Sequence, residues 1–222
     1  MLWKDLLTRL QNRLSPAGEN AGKLLIDEEM YYRAAVLLPL LPDSTGAPAV
    51  LFEVRARDLS RQPGEICFPG GRMEAGELPM LTARRETCEE LGIEPDQIEI
   101  LGEMGRLVIP YGMLIHPFVG IINTAEFTPS SQEVAEIFTV PLQFLADNPP
   151  GISEFEVATR YAADFPFDRI PSTYQAGWQK RASFPMYYFT YQKYFIWGFT
   201  AKILFHFCQL IWPAHPVYGR RS

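Results

Sequence analysis

Gly71-Arg72-Met73-Glu74-Ala75-Gly76-Glu77, followed after seven intervening residues by Arg85-Glu86-Thr87-Cys88-Glu89-Glu90-Leu91-Gly92-Ile93, is the stretch around which the rest of the chain is organised. Winding residues 78 to 91 at about 100° per residue brings Met80, Ala83, Thr87 and Leu91 into one apolar sector of about 80°. That sector predicts a helix with one face against a core. Glu86, Glu89 and Glu90 stand at i, i+3 and i+4 on the other side, so three carboxylates share one patch of helix surface. Pro79 suits the first turn because its missing N–H has no partner to lose there, and Gly92 can take the left-handed position that closes the helix.

Like charges on adjacent turns repel, and the arrangement is costly until protons or a divalent cation neutralise it. Mg²⁺ suits it: a hard cation that takes oxygen ligands and keeps several waters leaves room for substrate phosphates and a nucleophilic water. Arg85 precedes Glu89 by four residues and can hold that carboxylate or Glu77. Gly70-Gly71 predicts a backbone bend whose carbonyl can approach the metal.

A stretch rich in Glu and Arg is ordinarily a solvated helix face. The fixed spacing argues against that reading, since seven specified residues recur by chance at roughly one in 10⁸ per starting point. The stretch resembles the signature of the Nudix hydrolases, Gly-x5-Glu-x7-Arg-Glu-U-x-Glu-Glu-x-Gly-U, where U is bulky and apolar. Thr87 at the first U is the one departure, and its methyl can still pack in the apolar sector.

A second resemblance runs from Leu51 to Gly71. It is similar to the extra motif of the coenzyme A pyrophosphatase branch, Leu-Leu-Thr-x-Arg-Ser/Ala-x3-Arg-x3-Gly-x3-Phe-Pro-Gly-Gly. Arg55, Ala56, Gly64, Phe68, Pro69, Gly70 and Gly71 match in register; Phe52, Glu53 and Ser60 do not, and Arg61 stands one place after the expected arginine. Arginines at 55, 57 and 61 just ahead of a metal site suit coenzyme A, which carries a 3′-phosphate beyond its pyrophosphate. Ile115-His116-Pro117-Phe118-Val119-Gly120 and Trp197 to Ala201 are also similar to segments of this branch, although the sequence gives His116 no acidic or cysteine partner.

The resemblance implies an α/β fold, the Nudix α/β/α sandwich with a mixed sheet. It implies a hydrolase of nucleoside diphosphates linked to another moiety, with coenzyme A as the expected substrate. Mg²⁺ or Mn²⁺ would be held mainly by Glu86 and Glu90, with Glu89 assisting and Gly71 as a backbone ligand. Glu77 and Gly70 support the site, and Arg55, Arg61, Gly64 and Phe68 bind substrate. A glutamate after the 128–132 loop often serves such proteins as a further ligand or general base; Glu133 is the candidate and Glu136 the reserve. Three alternatives stay open: another substrate such as ADP-ribose or NADH, a non-catalytic nucleotide-binding module, and a protein-interaction subunit.

The 222 residues, 47% hydrophobic, are enough to bury a substantial core. One domain over residues 1–222 is expected: an accessory helix at about 2–14 packing on the core or a second subunit as a homodimer, a core at about 30–146, and an aromatic-rich elaboration with a helix at about 150–213. Twenty basic against 26 acidic residues, net −6, argue against nucleic-acid binding through a basic surface. Cys67, Cys88 and Cys208, odd in number and without metal-ligand spacing, predict reduced thiols in the cytoplasm.

Residues 32–41, 48–56, 98–106 and 113–122 read as strands, and Pro141 to Ala146 as a short helix. The apolar run from Tyr194 to Trp212 is near membrane-spanning length, but Lys202 and His206 interrupt it and Pro213 follows, which predicts a buried helix and no membrane partner. The aromatics between residues 154 and 196 suit core packing, or contact with adenine or pantetheine.

Overall fold

Strand β1 (Tyr32–Pro42) is apolar almost throughout because both of its faces are covered. Ala35, Leu37 and Leu41 pack towards one helix layer, while Leu38 and Leu40 pack towards the other. The computed structural model describes residues 2–12, 31–109 and 112–218. Residues 13 and 14 of the expected accessory helix, and residues 110 and 111, lie outside the described residues.

Around β1 the described residues form an eight-stranded mixed sheet. Strand β7 (Met113–Ile122) runs parallel to β1, from Tyr32 opposite Met113 to Leu40 opposite Ile121. β2 (Pro48–Arg55) and β4 (Gly70–Arg72) are antiparallel to successive parts of β1, β3 (Ile66–Cys67) continues beside β2, and β8 (Val134–Pro141) lines β2 on its other side. β5 (Ile98–Glu103) and β6 (Leu107–Ile109) pair with β7. Helix α2 (Pro79–Leu91) covers one face through Ala83 and Leu91; α1 (Trp3–Gln11), α3 (Leu142–Asp147) and α4 (Gly198–Ile211) lie on the other. The expected α/β/α sandwich with a mixed sheet is therefore the observed architecture.

Two features differ from expectation. The aromatic stretch builds a second, antiparallel sheet of β9 (Gly151–Thr159), β10 (Gln179–Tyr191) and β11 (Tyr194–Trp197). Tyr187 stacks on Phe205 of α4 at 4.1 Å between ring centroids and Tyr194 on Phe138 of β8 at 3.5 Å, so these rings serve packing. The run from Tyr194 to Trp212 is not one helix: it opens as β11 and turns at Gly198, whose φ of +68° is cheap only for glycine. No helix among the described residues is long and apolar enough to cross a membrane.

α1 buries Leu6 and Leu10 in the same core as α4, and the Arg9 guanidinium donates to the Ile211 carbonyl at the end of α4, where a cation suits the exposed carbonyls.

Candidate functional site

The carboxylate helix forms where the spacing places it. Pro79 occupies the first turn and Gly92 closes the helix at φ +63°, packed so tightly on Thr128 that any side chain there would clash. The three glutamates do not share one solvated patch, however. On a wheel of 3.6 residues per turn Glu90 stands about 20° from Ala83, at the edge of the apolar sector. It is accordingly buried against the sheet, while the Glu86 side chain is 18% exposed and that of Glu89 57%.

The loop before α2 is fitted to those side chains. Gly70 and Gly71 pair with Val36 and Ala35 of β1, and a Cβ on Gly71 would collide with the Glu86 carboxyl. The Gly70 N–H donates to Glu90 Oε2 at 2.7 Å, which fixes the orientation of this carboxyl group. Arg85 grips Glu77 with two parallel bonds, Nε to Oε1 at 3.0 Å and Nη2 to Oε2 at 3.1 Å. Its Nη1 reaches Glu86 at 2.8 Å and Glu89 at 3.2 Å. Those bonds hold Glu77 down to about 2, whereas burial raises Glu86.

Burial is the largest influence on Glu90 as well, pushing it up to about 9, with the charge of Glu53 next. Glu53, on β2, is wholly buried and is raised to about 7, first by burial and then by the charges of Glu133 and Glu86, against the Cys67 hydrogen bond and Arg55. Among the described residues no three acidic, histidine or cysteine side chains form a closed cage. Mg²⁺ uses only one or two carboxylates beside waters and phosphate oxygens, so an open set fits it. The buried Glu53 Oε2, which has no hydrogen-bond partner, and the cradle at Gly71 point the same way.

A cavity of about 230 Å³ adjoins this cluster, lined among others by Arg55, Arg61, Phe68, Gly70, Gly71 and Phe199. The one-place offset of Arg61 from the motif thus does not keep it from the site. Phe68 touches the cavity, but most of it packs on Phe52 at 4.9 Å. Gly64 does not line it: at φ +72° it turns the chain between β2 and β3 and donates its N–H to the Arg55 carbonyl. Gly64 shapes the loop that carries Arg61.

Glu133 is exposed at the head of β8, its carbonyl accepting the Ala56 N–H, and its charge is felt by both Glu53 and Glu86. The reserve, Glu136, is turned away and held by Lys193 Nζ at 2.9 Å and Tyr194 Oη at 2.6 Å. His116 does have an acidic partner, since its Nδ1 lies 2.9 Å from Glu103 Oε1. It lines a second cleft of about 530 Å³ together with the 72–80 loop, Glu103 and Arg106.

Residues 31–156 match the family model of the NUDIX domain, more than half of the chain. An uncharacterized Nudix hydrolase NudL of Pectobacterium atrosepticum is 32% identical over 202 residues, covering 90% of both chains. The chain belongs to the Nudix family. The peroxisomal coenzyme A diphosphatase ndx-8 of Caenorhabditis elegans is 42% identical over 147 residues, 64% of this chain and 62% of that one. A solved Nudix hydrolase from M. Smegmatis, RenU, is 27% identical and aligns over 52% of this chain and 74% of its own with a TM-score of 0.42.

Motif reading of the Nudix helix passed over Glu53, Tyr32 and Arg72. Glu53 carries a signal, the only acid in the otherwise apolar run of β2. Tyr32 carries none. Two guanidiniums lie against its ring, Arg72 at 5.0 Å and Arg61 at 6.0 Å from the centroid, and it lines both cavities.

Proposed function

We propose that this Nudix hydrolase cleaves the pyrophosphate of coenzyme A or its thioesters, giving 4′-phosphopantetheine and adenosine 3′,5′-bisphosphate. The observation that carries the reading is that Arg55 and Arg61 line one cavity with Gly70 and Gly71, next to Glu86 and Glu90. Two guanidiniums are more cationic charge than a pyrophosphate whose charge is already offset by a cation requires, and they suit a substrate with a further phosphate. The likeness to the worm coenzyme A diphosphatase supports the same choice.

In this reading Glu86 and Glu90 would hold Mg²⁺ or Mn²⁺ with the Gly71 carbonyl, and Glu89 would assist from the exposed side. Such a cation supplies polarisation of the pyrophosphate and a more acidic water. Arg85 fixes Glu86, Glu89 and Glu77 in place, and the Gly70 N–H orients Glu90. Glu133 accepts the proton of the attacking water; that water adds to one phosphorus, and the bridging P–O bond breaks, its electrons leaving on the departing phosphate.

Hydrolysis rates with coenzyme A, 3′-dephospho-coenzyme A and ADP-ribose in saturating Mg²⁺ test the reading. Coenzyme A should lead, and Arg55→Ala and Arg61→Ala should cut its kcat/KM about tenfold or more while moving dephospho-coenzyme A less. A wide margin for ADP-ribose, or equal losses on all three substrates, would overturn the coenzyme A assignment.

A further inference from the structure

Glu53 has no role in the mechanism above, yet it is the most completely buried carboxylate beside the cluster. Two residues back on β2, Leu51 packs with Ala83 and Leu91 of α2, and the two-residue period of a strand sends Glu53 to the same face, under the helix. Cys67 of β3 stands beside it in register and its thiol donates to Glu53 Oε1 at 3.1 Å. Glu53 Oε2 is buried without a hydrogen-bond partner. Glu53 faces α2, whose Glu90 accepts from the Gly70 N–H three residues beyond Cys67, and the charges of Glu90 and Glu86 oppose its own.

A buried carboxylate oxygen left unpaired beside a second buried carboxylate is a costly arrangement unless a positive charge joins them. The sequence had a cheaper option: threonine stands at this place in the motif that the segment resembles. Arg55 partly offsets the charge but lines the neighbouring cavity.

We propose that Glu53 is an additional oxygen ligand of a divalent cation held between β2 and α2, where it and Glu90 supply one carboxylate from each element. The cation is then gripped from the sheet as well as from the helix. The proposal rests on the metal-dependent reading given above. It gives the orphaned Oε2 its partner and explains an acid in an apolar strand.

The test is calorimetric titration of the full chain, stripped with EDTA, with Mn²⁺ alone, for the wild type, Glu53→Gln and Glu53→Thr. Both variants should bind Mn²⁺ about tenfold more weakly or worse. Melting curves give a second reading: without metal Glu53→Gln should melt above the wild type, and saturating Mn²⁺ should raise the wild type more than the variant. A reading that needs no variant at position 53 comes from infrared spectroscopy. The S–H stretch of Cys67, assigned through Cys67→Ser, should move to higher frequency when Mn²⁺ at Oε2 draws negative charge from Oε1 and weakens the bond that the thiol donates to it. Mn²⁺ affinity within twofold of the wild type in both variants, as expected if Glu53 and Glu90 merely share a proton, would overturn the proposal and leave the hydrolase reading standing. If the variants do not fold, an S–H band that stays put in a metal-loaded wild type overturns it as well. A wild type that binds no Mn²⁺ would overturn both.

Discussion

Replacing Glu90 with glutamine should make the metal-free protein more stable and the loaded enzyme nearly inactive. Glutamine keeps the shape of the side chain and an oxygen to accept the Gly70 N–H. What it removes is an ionisable group whose value is pushed up to about 9 by burial first and then by the charge of Glu53. A carboxyl raised in the fold contributes stability that is full below its unfolded value of about 4.5 and is lost as pH rises through the folded one. At pH 7 the interval between 4.5 and 7 corresponds to about 3 kcal/mol against the wild type, nearer 2 after allowing for sharing with Glu53. For a chain of this size that is a rise of roughly 4–8 °C in Tm, read by differential scanning calorimetry in EDTA. Turnover of coenzyme A in saturating Mg²⁺ should fall at least about 100-fold, a loss of about 2.7 kcal/mol of transition-state stabilisation. The reasoning fails if the variant melts below the wild type in EDTA, or keeps turnover within tenfold.

Gly71→Ala puts a methyl against the Glu86 carboxyl and should weaken Mn²⁺ binding about tenfold to 100-fold; an unchanged calorimetric isotherm would show that Glu86 is free to move aside. Glu77→Gln removes a carboxylate held near 2 by Arg85, a lowered group whose contribution is present above about 4.5 and lost as pH falls through 2. The variant should be less stable by about 1–2 kcal/mol at pH 7 after solvent screening, and urea unfolding should show the gap closing between pH 4.5 and 2; a gap that persists at pH 2 would contradict the pairing. Leu10→Ala, in the buried face of α1, should cost about 2–4 kcal/mol in urea unfolding, and a loss under about 0.5 would mean that α1 does not dock in solution.

The carboxylate helix was legible because each of its boundaries is written locally: Pro79 can only begin a helix, Gly92 takes the left-handed turn, and the apolar sector between them has helical period. The layering of the sandwich came from the resemblance to the Nudix hydrolases, and the unbroken apolar run of β1, covered on both faces in the structure, agrees with it. Other features needed distances that no local pattern holds. A helix wheel alone sets Glu90 in one surface patch with Glu86 and Glu89, because it lacks the sheet that covers the edge of the apolar sector. The partner of His116 arrives only when β5 and β7 align antiparallel and bring Glu103 opposite Phe118. β9 to β11 escaped notice because their rings are spread over strands and connecting loops alike, which blurs the two-residue period. Arg61 reached its cavity in spite of the register slip, because the turn at Gly64 sets its approach.

The contact between Arg9 and the end of α4 spans 202 positions of the chain. Such a clasp closes a long loop, and loop closure of that span comes late and slowly. Because α1 is synthesised well before α4, Leu6 and Leu10 wait without the α4 part of their core until that helix has been made. During translation this apolar stripe is a natural target for chaperones, and a nascent chain stalled before residue 198 should be far more prone to clump than the finished molecule.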